Sequence, residues 1–314
     1  MENQTFRPQV DVIIPTYKPD EKFYQLMERL GHQTYPINKI ILMNTGDVLP
    51  KEEEIRRKLS LSLLEVHHIK PSEFDHGGTR NAGASHSEAD ICVFMTQDAV
   101  PADESLIEML VASFSKSKVA AAYARQLPSE DCKPAETFTR TFNYPPESRI
   151  KTKEDLEILG IKTFFCSNVC AAYRMNVFRE EGGFEERTIF NEDMIFAGHL
   201  VKKGYAIAYA ADARVVHSHN YSNALQFHRN FDLAVSQAQH PEVFADVRSE
   251  SEGIRLVKKT AAYLIKQKKP HLVPGLIVTS GCKYMGYWLG KRYRKLPMWL
   301  VKKLSWNKRY WEKG

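Results

Sequence analysis

The stretch Val-Asp-Val-Ile-Ile-Pro-Thr-Tyr, residues 10–17, decides the fold class of this 314-residue chain. Its apolar, β-branched residues predict a buried strand over 10–14, which Pro15 ends, with polar residues following at the carboxyl end. Downstream segments alternate in type, with strands predicted over 39–43, 63–69 and 91–95 and helices over 21–31 and 79–87. The alternation indicates an α/β protein, in which helices cover both faces of a mostly parallel sheet.

The composition is that of a globular protein with a substantial core, with 43% hydrophobic and 26% charged residues. Five cysteines show no metal-binding spacing supported by histidines, and we interpret them as thiols of a reducing cytoplasm. Two of them lie in the apolar run 164–173, which is predicted to be a buried strand. Neither the N-terminal pattern of a signal peptide nor an apolar run of 18 residues occurs, so no leader and no transmembrane helix are predicted.

The net charge of +6 conceals an acidic body and a basic C-terminal segment. Residues 255–314 contain 16 Lys and Arg residues against one acid, whereas residues 1–254 contain 28 bases and 37 acids. The two parts should therefore meet different partners. Because the pattern of strands and helices changes at about residue 222, we predict one α/β domain over 1–222 and a helical, basic and aromatic region over 223–314.

The C-terminal region is predicted to contain a helix over 225–238, a basic amphipathic helix over 254–269 and an apolar, Pro- and Gly-broken segment over 271–278. Its later bases are interleaved with apolar residues and with the rings of Tyr284, Tyr287, Trp288, Tyr293, Trp299, Trp306, Tyr310 and Trp311. This mixture favours attachment to an anionic membrane surface over binding of nucleic acid. A packed helical subdomain or an interface between copies of the chain is the alternative.

Three carboxylates stand at positions that indicate chemistry. Asp98 follows the buried run 91–95, where a carboxylate is costly unless it binds a cation or accepts hydrogen bonds. Glu192 and Asp193 open an apolar helix about a hundred residues later. One carboxylate that holds a metal and another that takes a proton are the minimum for group transfer from an activated phosphate ester. The alternative for the pair is simple stabilisation of the helix dipole.

Polar residues follow the predicted strands at 15–17, 44–47 and 96–98, at the edge of a parallel sheet where α/β proteins bind nucleotides. Neither a Gly-x-Gly-x-x-Gly sequence after the first strand nor a Walker-type loop occurs, which excludes the two commonest nucleotide-binding motifs. Residues 126–163 are polar, contain four prolines and show little periodicity. They predict a long connection, either an acceptor-side lid or a plain surface excursion.

Four ordered motifs resemble those of the inverting family 2 glycosyltransferases with the GT-A fold, over about residues 8–220. They are VIIPTY at 12–17, HGGTRNAGA at 76–84, FMTQDAVP at 94–101 and NED at 191–193. Each motif is weak alone, but the ordered set is specific. The TQDA and HGGTRN variants are similar to bacterial rhamnosyltransferases that use dTDP-L-rhamnose, most of all the streptococcal enzymes of rhamnose-rich cell-wall polysaccharides.

The resemblance implies a role for each matching residue. Asp193 would be the catalytic base, while Glu192 would contact the acceptor or orient the loop. Asp98 would hold a divalent cation, Mn²⁺ or alternatively Mg²⁺, with His217 or the competing His219 as a second ligand. A purely structural role of the two histidines is the alternative. The residues implied at the nucleotide sugar are Thr16, Tyr17, Asn44, Arg80, Thr96 and Gln97, with Asp47, Asp75 and His76 near the same rim.

Two departures from the family pattern bear on these roles. Thr96 replaces the first acid of the Asp-x-Asp metal motif, so only Asp98 remains to bind a cation directly. Asn44 stands where the family usually holds the nucleotide base with an acid, although an amide can still bond the edge of a pyrimidine.

The resemblance also implies a reaction and a place. The chain would move L-rhamnose from dTDP-β-L-rhamnose to a lipid-linked saccharide, giving an α-rhamnoside, as a peripheral protein on the cytoplasmic face of a bacterial membrane. No nucleic acid partner is expected, and homo-oligomers are possible. The alternatives are a family 2 transferase with another nucleotide sugar and a non-catalytic nucleotide-sugar-binding protein.

Overall fold

The computed structural model describes residues 7–59, 63–245, 247 and 250–312, without the side chains of 250–252. Within these residues nine strands form one sheet: β1 (Val10–Thr16), β2 (Lys39–Thr45), β3 (Leu64–Ile69), β4 (Ile91–Met95), β5 (Val100–Pro101), β6 (Val119–Leu127), β7 (Arg149–Lys151), β8 (Cys170–Arg174) and β9 (Ala206–Val216). Their order is β3-β2-β1-β4-β8-β6-β9-β5, and β7 pairs with β9. Strands β5, β7 and β8 are antiparallel to their neighbours, and the other six run in one direction. The predicted mostly parallel sheet is confirmed.

The helices of the described residues are α1 (Glu21–Gly31), α2 (Glu52–Lys58), α3 (His76–Ser85), α4 (Leu106–Ala112), α5 (Pro134–Asn143), α6 (Leu156–Leu159), α7 (Met175–Glu180), α8 (Glu192–Lys202), α9 (Asn223–Gln239), α10 (Pro241–Phe244), α11 (Glu250–Lys266), α12 (Val273–Gly290) and α13 (Met298–Leu304). The helices cover both faces of the sheet. Alternate residues of β1 point to opposite faces and belong to two different hydrophobic clusters. Ile14 packs in a cluster with Leu26 of α1, whereas Ile13 belongs to the cluster that contains Phe196 of α8.

Several element boundaries differ from those predicted. Strand β1 continues through Pro15 to Thr16, pairing with β2 alone because its pairing with β4 has ended at Ile13. A proline is tolerated where a strand has a single neighbour. Helix α3 begins one turn earlier than predicted, because the Asp75 carboxylate accepts a hydrogen bond from the Gly78 amide at 2.7 Å. In the run 164–173 the strand begins only at residue 170, and all five cysteines are free thiols.

Two predictions about irregular segments are wrong. Residues 126–163 contain α5, β7 and α6 rather than one long connection, and Phe138 of α5 stacks on Tyr263 of α11 with ring centroids 4.8 Å apart. The segment 271–278 is not broken, because α12 runs from Val273 through Pro274 without interruption. A proline in the first turn of a helix sacrifices no internal hydrogen bond.

Helix α12 lies against α9 at two glycines. A Cβ on Gly286 would lie 2.2 Å from the carbonyl oxygen of Phe227, and one on Gly290 would lie 2.3 Å from that of Phe231. The two helices therefore approach more closely than any side chain would allow. Phe231 also packs with Ile189, Val235 and Val301, which ties the C-terminal helices to the segment before α8. Among the described helices none has both the length and the apolar character that crossing a bilayer requires.

We predict that Gly286→Ala lowers the free energy of unfolding by about 1–3 kcal/mol, the usual cost of overpacking, because the two helices must separate. Gly281→Ala on the same helix is the matched control, since no atom lies within 4 Å of its added Cβ. That variant should be neutral or more stable by up to about 1 kcal/mol. Denaturant unfolding of both variants provides the measurement, and equal effects would contradict the close packing.

Candidate active site

The two adjacent carboxylates stand at the start of α8, directly after Asn191. Asn191 adopts a left-handed conformation with φ of 66°, and its side-chain amide donates to the carbonyl oxygen of Leu233 in α9 at 3.3 Å. The carbonyl of Phe190 accepts a hydrogen bond from Ser236 of α9 at 2.6 Å. Asparagine enters this conformation more readily than most residues, and the two hydrogen bonds to α9 fix the backbone there. Helix α9 therefore positions the loop that carries the acids.

Glu192 is paired with the cation of this site. Its Oε1 lies 3.2 Å from Nη1 of Arg80, which also donates to the carbonyl oxygen of His76 at 2.8 Å. Burial would raise the pKa of Glu192, but the positive charge of Arg80 lowers it below the usual value. Glu192 is therefore ionised and fixed by Arg80, as an orienting residue would be.

Asp193 has no cation of its own. Its carboxylate accepts hydrogen bonds from the backbone amides of Asn168 at 3.1 Å and Met194 at 2.8 Å. Burial, followed by the negative charge of Glu192, raises the pKa of Asp193 to about 7. A carboxylate with a pKa near neutrality that is held by two amides suits a general base.

A second group brings together the acid at the end of β4 and the two histidines after β9. The Nε2 atoms of His217 and His219 lie 3.5 and 3.1 Å from Oδ2 of Asp98, and 3.1 Å from each other. Burial would raise the pKa of Asp98, but the hydrogen bonds of the two histidines lower it below its usual range. The structure thus places both competing histidines beside Asp98, and the three groups could hold a divalent cation together.

Gln126 at the end of β6 orients the buried His217. Its Oε1 lies 3.1 Å from Nδ1 of His217 and accepts a hydrogen bond from Arg140 at 2.5 Å, while its Nε2 donates to Ser167 at 3.2 Å. Because that oxygen can only accept, Nδ1 of His217 donates to it, and Nε2, which faces Asp98, is the atom left to bind a metal. The roles of Gln126 and Arg140 were not predictable from local sequence, since no local signal marks a contact that spans 91 residues.

The residues predicted at the nucleotide sugar divide into two groups. Gln97 is bonded to the backbone of Tyr17 through both ends of its amide, at 2.7 and 3.1 Å, so it joins the loops after β1 and β4. Asn44 is buried, accepts from Thr16 at 3.2 Å and donates within its own turn. The side chains of Thr16, Asn44 and Gln97 therefore support the loops at the carboxyl ends of the strands. Tyr17, in contrast, is 49% exposed and available to a ligand.

Two other residues predicted at the nucleotide sugar each have a buried polar atom without a hydrogen-bond partner in the described part of the chain. The atoms are Nε of Arg80 and Oγ1 of Thr96. Such atoms are costly unless a ligand completes them. The other three residues predicted near the nucleotide sugar have different surroundings. Asp75 is the N-cap of α3, and Asp47 is exposed. Burial lowers the pKa of His76.

Arg229 of α9 lies between the pair of acids at the start of α8 and the metal-binding group around Asp98. Its role was not predicted from the sequence. Its guanidinium is 4.9 Å from the ring centroid of Tyr221 and 5.2 Å from that of Phe190. Tyr221 in turn stacks on His219 at 4.8 Å, and Phe190 precedes the loop of the two acids. A cation at this position adds positive charge between the metal-binding group and the base.

Solved structures with the same architecture identify the fold. A mannosyltransferase from Pyrobaculum calidifontis, in complex with GDP-Man and Mn²⁺, matches with a TM-score of 0.59 and 15% identity over 98% of this chain and 86% of its own. A structure of S. aureus TarS in complex with UDP-GlcNAc matches with a TM-score of 0.53 and 14% identity over 91% and 92% of the two chains. The fold is GT-A, as predicted.

Comparison of sequences gives the family. Residues 11–182 match the model of glycosyl transferase family 2. An O-antigen chain rhamnosyltransferase of Salmonella typhimurium is 40% identical over 96% of both chains, and one of Salmonella anatum is 39% identical over 97% of this chain and 96% of its own. The chain belongs to glycosyltransferase family 2, which confirms the resemblance found in its four motifs.

We predict that Asp193→Asn keeps donor binding but reduces sugar transfer by roughly two to four orders of magnitude, the usual contribution of a general base. The amide keeps the shape of the side chain but cannot take the proton. Asp212→Asn, a change of the same kind at an exposed residue of β9, is the control and should leave transfer unaltered. Near-normal turnover by a folded Asp193→Asn protein would show that another group is the base.

The pKa of Asp193 also predicts the pH dependence. Because the base must be ionised, kcat/KM should fall as the pH falls through about 7. Glu192→Gln removes the negative charge that raises this pKa, so the acidic limb of the profile should move to lower pH. The groups that face Asp193 are Glu192, Arg80, Tyr144, Cys166 and Tyr173. An acidic limb at the same pH in both proteins would exclude Asp193 as its source.

We predict that chelation with EDTA abolishes transfer and that Mn²⁺ restores it. Asp98→Ala, His217→Ala and His219→Ala should each weaken Mn²⁺ binding measured by calorimetry, because each removes one of three converging ligands. His32→Ala, which changes a histidine of the surface near α1, is the control. Full activity of the wild type in EDTA would mean that cationic side chains alone neutralise the leaving group.

Proposed function

We propose that the chain transfers L-rhamnose from dTDP-β-L-rhamnose to a lipid-linked saccharide during assembly of a bacterial surface polysaccharide. The observation that carries this proposal is the 40% identity to an O-antigen chain rhamnosyltransferase, which extends over 96% of both chains. The names of these relatives favour an O-antigen chain as the product, where the sequence motifs had suggested a streptococcal cell-wall polysaccharide.

The proposed reaction is a single displacement at the anomeric carbon. Asp193 takes the proton of the acceptor hydroxyl, whose oxygen forms the new glycosidic bond as the bond to the diphosphate breaks. One displacement inverts the configuration, so a β-linked donor gives an α-rhamnoside. A divalent cation held by Asp98, His217 and His219 would supply neutralising charge for the leaving diphosphate. Arg229 adds positive charge on the side of the acids, and no covalent intermediate is needed.

The donor would lie along the carboxyl ends of β1, β2 and β4. The exposed ring of Tyr17 can stack on the nucleoside, and Thr16, Asn44 and Gln97 support the loops beneath it. Arg80 and Thr96 keep buried polar atoms that a ligand would complete. In this assignment Glu192 holds Arg80 and orients the acceptor side of the site.

The proposed location is the cytoplasmic surface of a membrane, through a helical region over 223–314 that accompanies the catalytic domain of 1–222. Ten of the large hydrophobic residues that the described structure leaves exposed lie between 254 and 306. They occur where the sequence has no acid from 253 to 311, so apolar surface and positive charge coincide. Such a surface suits the interface of an anionic leaflet.

Two other functions remain to be separated from this one. The GT-A fold also occurs in proteins solved with GDP-Man or UDP-GlcNAc, so the fold alone does not select a donor. A non-catalytic nucleotide-sugar-binding protein is disfavoured by the raised pKa of Asp193, which binding alone does not need.

Turnover of a donor panel tests the proposal. With a saccharide-lipid acceptor and Mn²⁺, we expect transfer from dTDP-L-rhamnose at least about a hundredfold faster than from UDP-glucose, UDP-GlcNAc or GDP-mannose, since a site that bonds sugar hydroxyls rejects mismatched analogues strongly. The product should be an α-rhamnoside by NMR, and Asp193→Asn is the inactive control. Preference for another donor would refute the rhamnose assignment, and binding of dTDP-L-rhamnose without transfer to any acceptor would support the non-catalytic alternative.

A further inference from the structure

A cavity of about 530 Å³ lies at the end of α12, far along the chain from the catalytic groups. The helix ends at Gly290, and the chain then turns back through a short 3₁₀ turn over Tyr293–Lys295. The turn brings basic side chains beside the rings of the last helical turns. The lining residues are Tyr284, Tyr287, Trp288, Lys291, Arg292, Arg294 and Lys295. The volume lies within the usual range of small-ligand pockets.

The cavity is positively charged and rich in rings. Four of its seven lining residues are Lys or Arg, and the sequence contains no Asp or Glu between residues 253 and 311. The guanidinium of Arg292 lies 4.3 Å from the ring centroid of Trp288, and Nζ of Lys291 lies 5.6 Å from that of Tyr287. Stacking on rings holds these cations in place, so they need not be ordered when an anion binds.

An apolar surface adjoins the cavity. Ile277, Val278, Tyr284, Met285 and Trp288 are all exposed and, at helical spacing, share one face of α12. The opposite face carries the glycines that contact α9. On the other side of the turn, Trp299 of α13 is 68% exposed. Apolar side chains on a helix face beside a cationic pocket match a ligand that has an anionic head and an apolar tail.

We propose that this cavity binds the phosphate headgroup of an anionic phospholipid, whose acyl chains lie along the exposed face of α12. The inference rests on the proposed membrane location and adds to it a specific site, where charge attraction alone would be diffuse. The four cations face the phosphate, and the rings of Tyr284 and Trp288 lie at the depth of the headgroups. A nucleic acid would also match the charge, but it would leave the apolar face of α12 in water.

The test is vesicle binding by the full-length chain, using phosphatidylcholine vesicles with and without phosphatidylglycerol. Arg294→Gln with Lys295→Gln removes two charges from the cavity, and Lys268→Gln with Lys269→Gln removes two exposed charges beyond the other end of α12. An 18-residue helix separates the two pairs by about 27 Å. We expect the cavity pair to lose at least about tenfold in affinity for phosphatidylglycerol vesicles, and the control pair clearly less.

Equal losses for the two pairs would overturn the site and leave only diffuse attraction. Inorganic phosphate is added as a soluble competitor; displacement of the protein from vesicles at low phosphate concentration would overturn the lipid assignment. A mobility-shift assay with an RNA probe tests the nucleic acid alternative. Tight RNA binding without vesicle binding would also contradict the proposal. Donor turnover by the wild type is measured separately in solution, so failure of the rhamnose assignment and failure of this site give different results.

Discussion

One buried guanidinium that pairs with only one of two adjacent carboxylates is the constraint on which the site depends. Arg80 pairs with Glu192 and leaves Asp193 with backbone amides only, so one acid stays ionised while the other has a pKa near neutrality. The position of Arg80 follows from the fold, because α3 lies close on the sheet at Gly83, where a Cβ would come within 2.6 Å of Ile13. Sheet, helix and ion pair thus together determine which carboxylate can accept a proton.

Local features of the sequence were sufficient to predict several elements of the sheet and its helices. The run of β4 over 91–95 and the helix after Asp20 have the predicted extents, because apolar periodicity and a capping carboxylate act within a few residues. The family resemblance implied Asp98 and Asp193 through their motifs and His217 through its distance from Asp193, and the structure brings Asp98 and His217 together as expected.

Features that depend on contacts between distant segments were not predictable in this way. The role of Gln126 requires His217 from β9 and Arg140 from α5, and no periodicity marks it. Both histidines reach Asp98, although sequence reasoning treated them as competitors, because the chain after β9 turns the second ring back toward the first. The continuity of α12 was hidden by Pro274, whose effect depends on its position within the helix.

Helix α9 has one further consequence. It holds Asn191 in its left-handed conformation through Leu233, and its opposite side receives α12 at two glycines without intervening side chains. The proposed membrane-facing helix α12 and the loop before Asp193 therefore pack against opposite sides of the same helix, α9. A tilt of α12 on the bilayer would move α9 and, through it, the backbone beside Asp193. In such an arrangement the turnover rate would depend on the packing of the lipids as well as on the substrate.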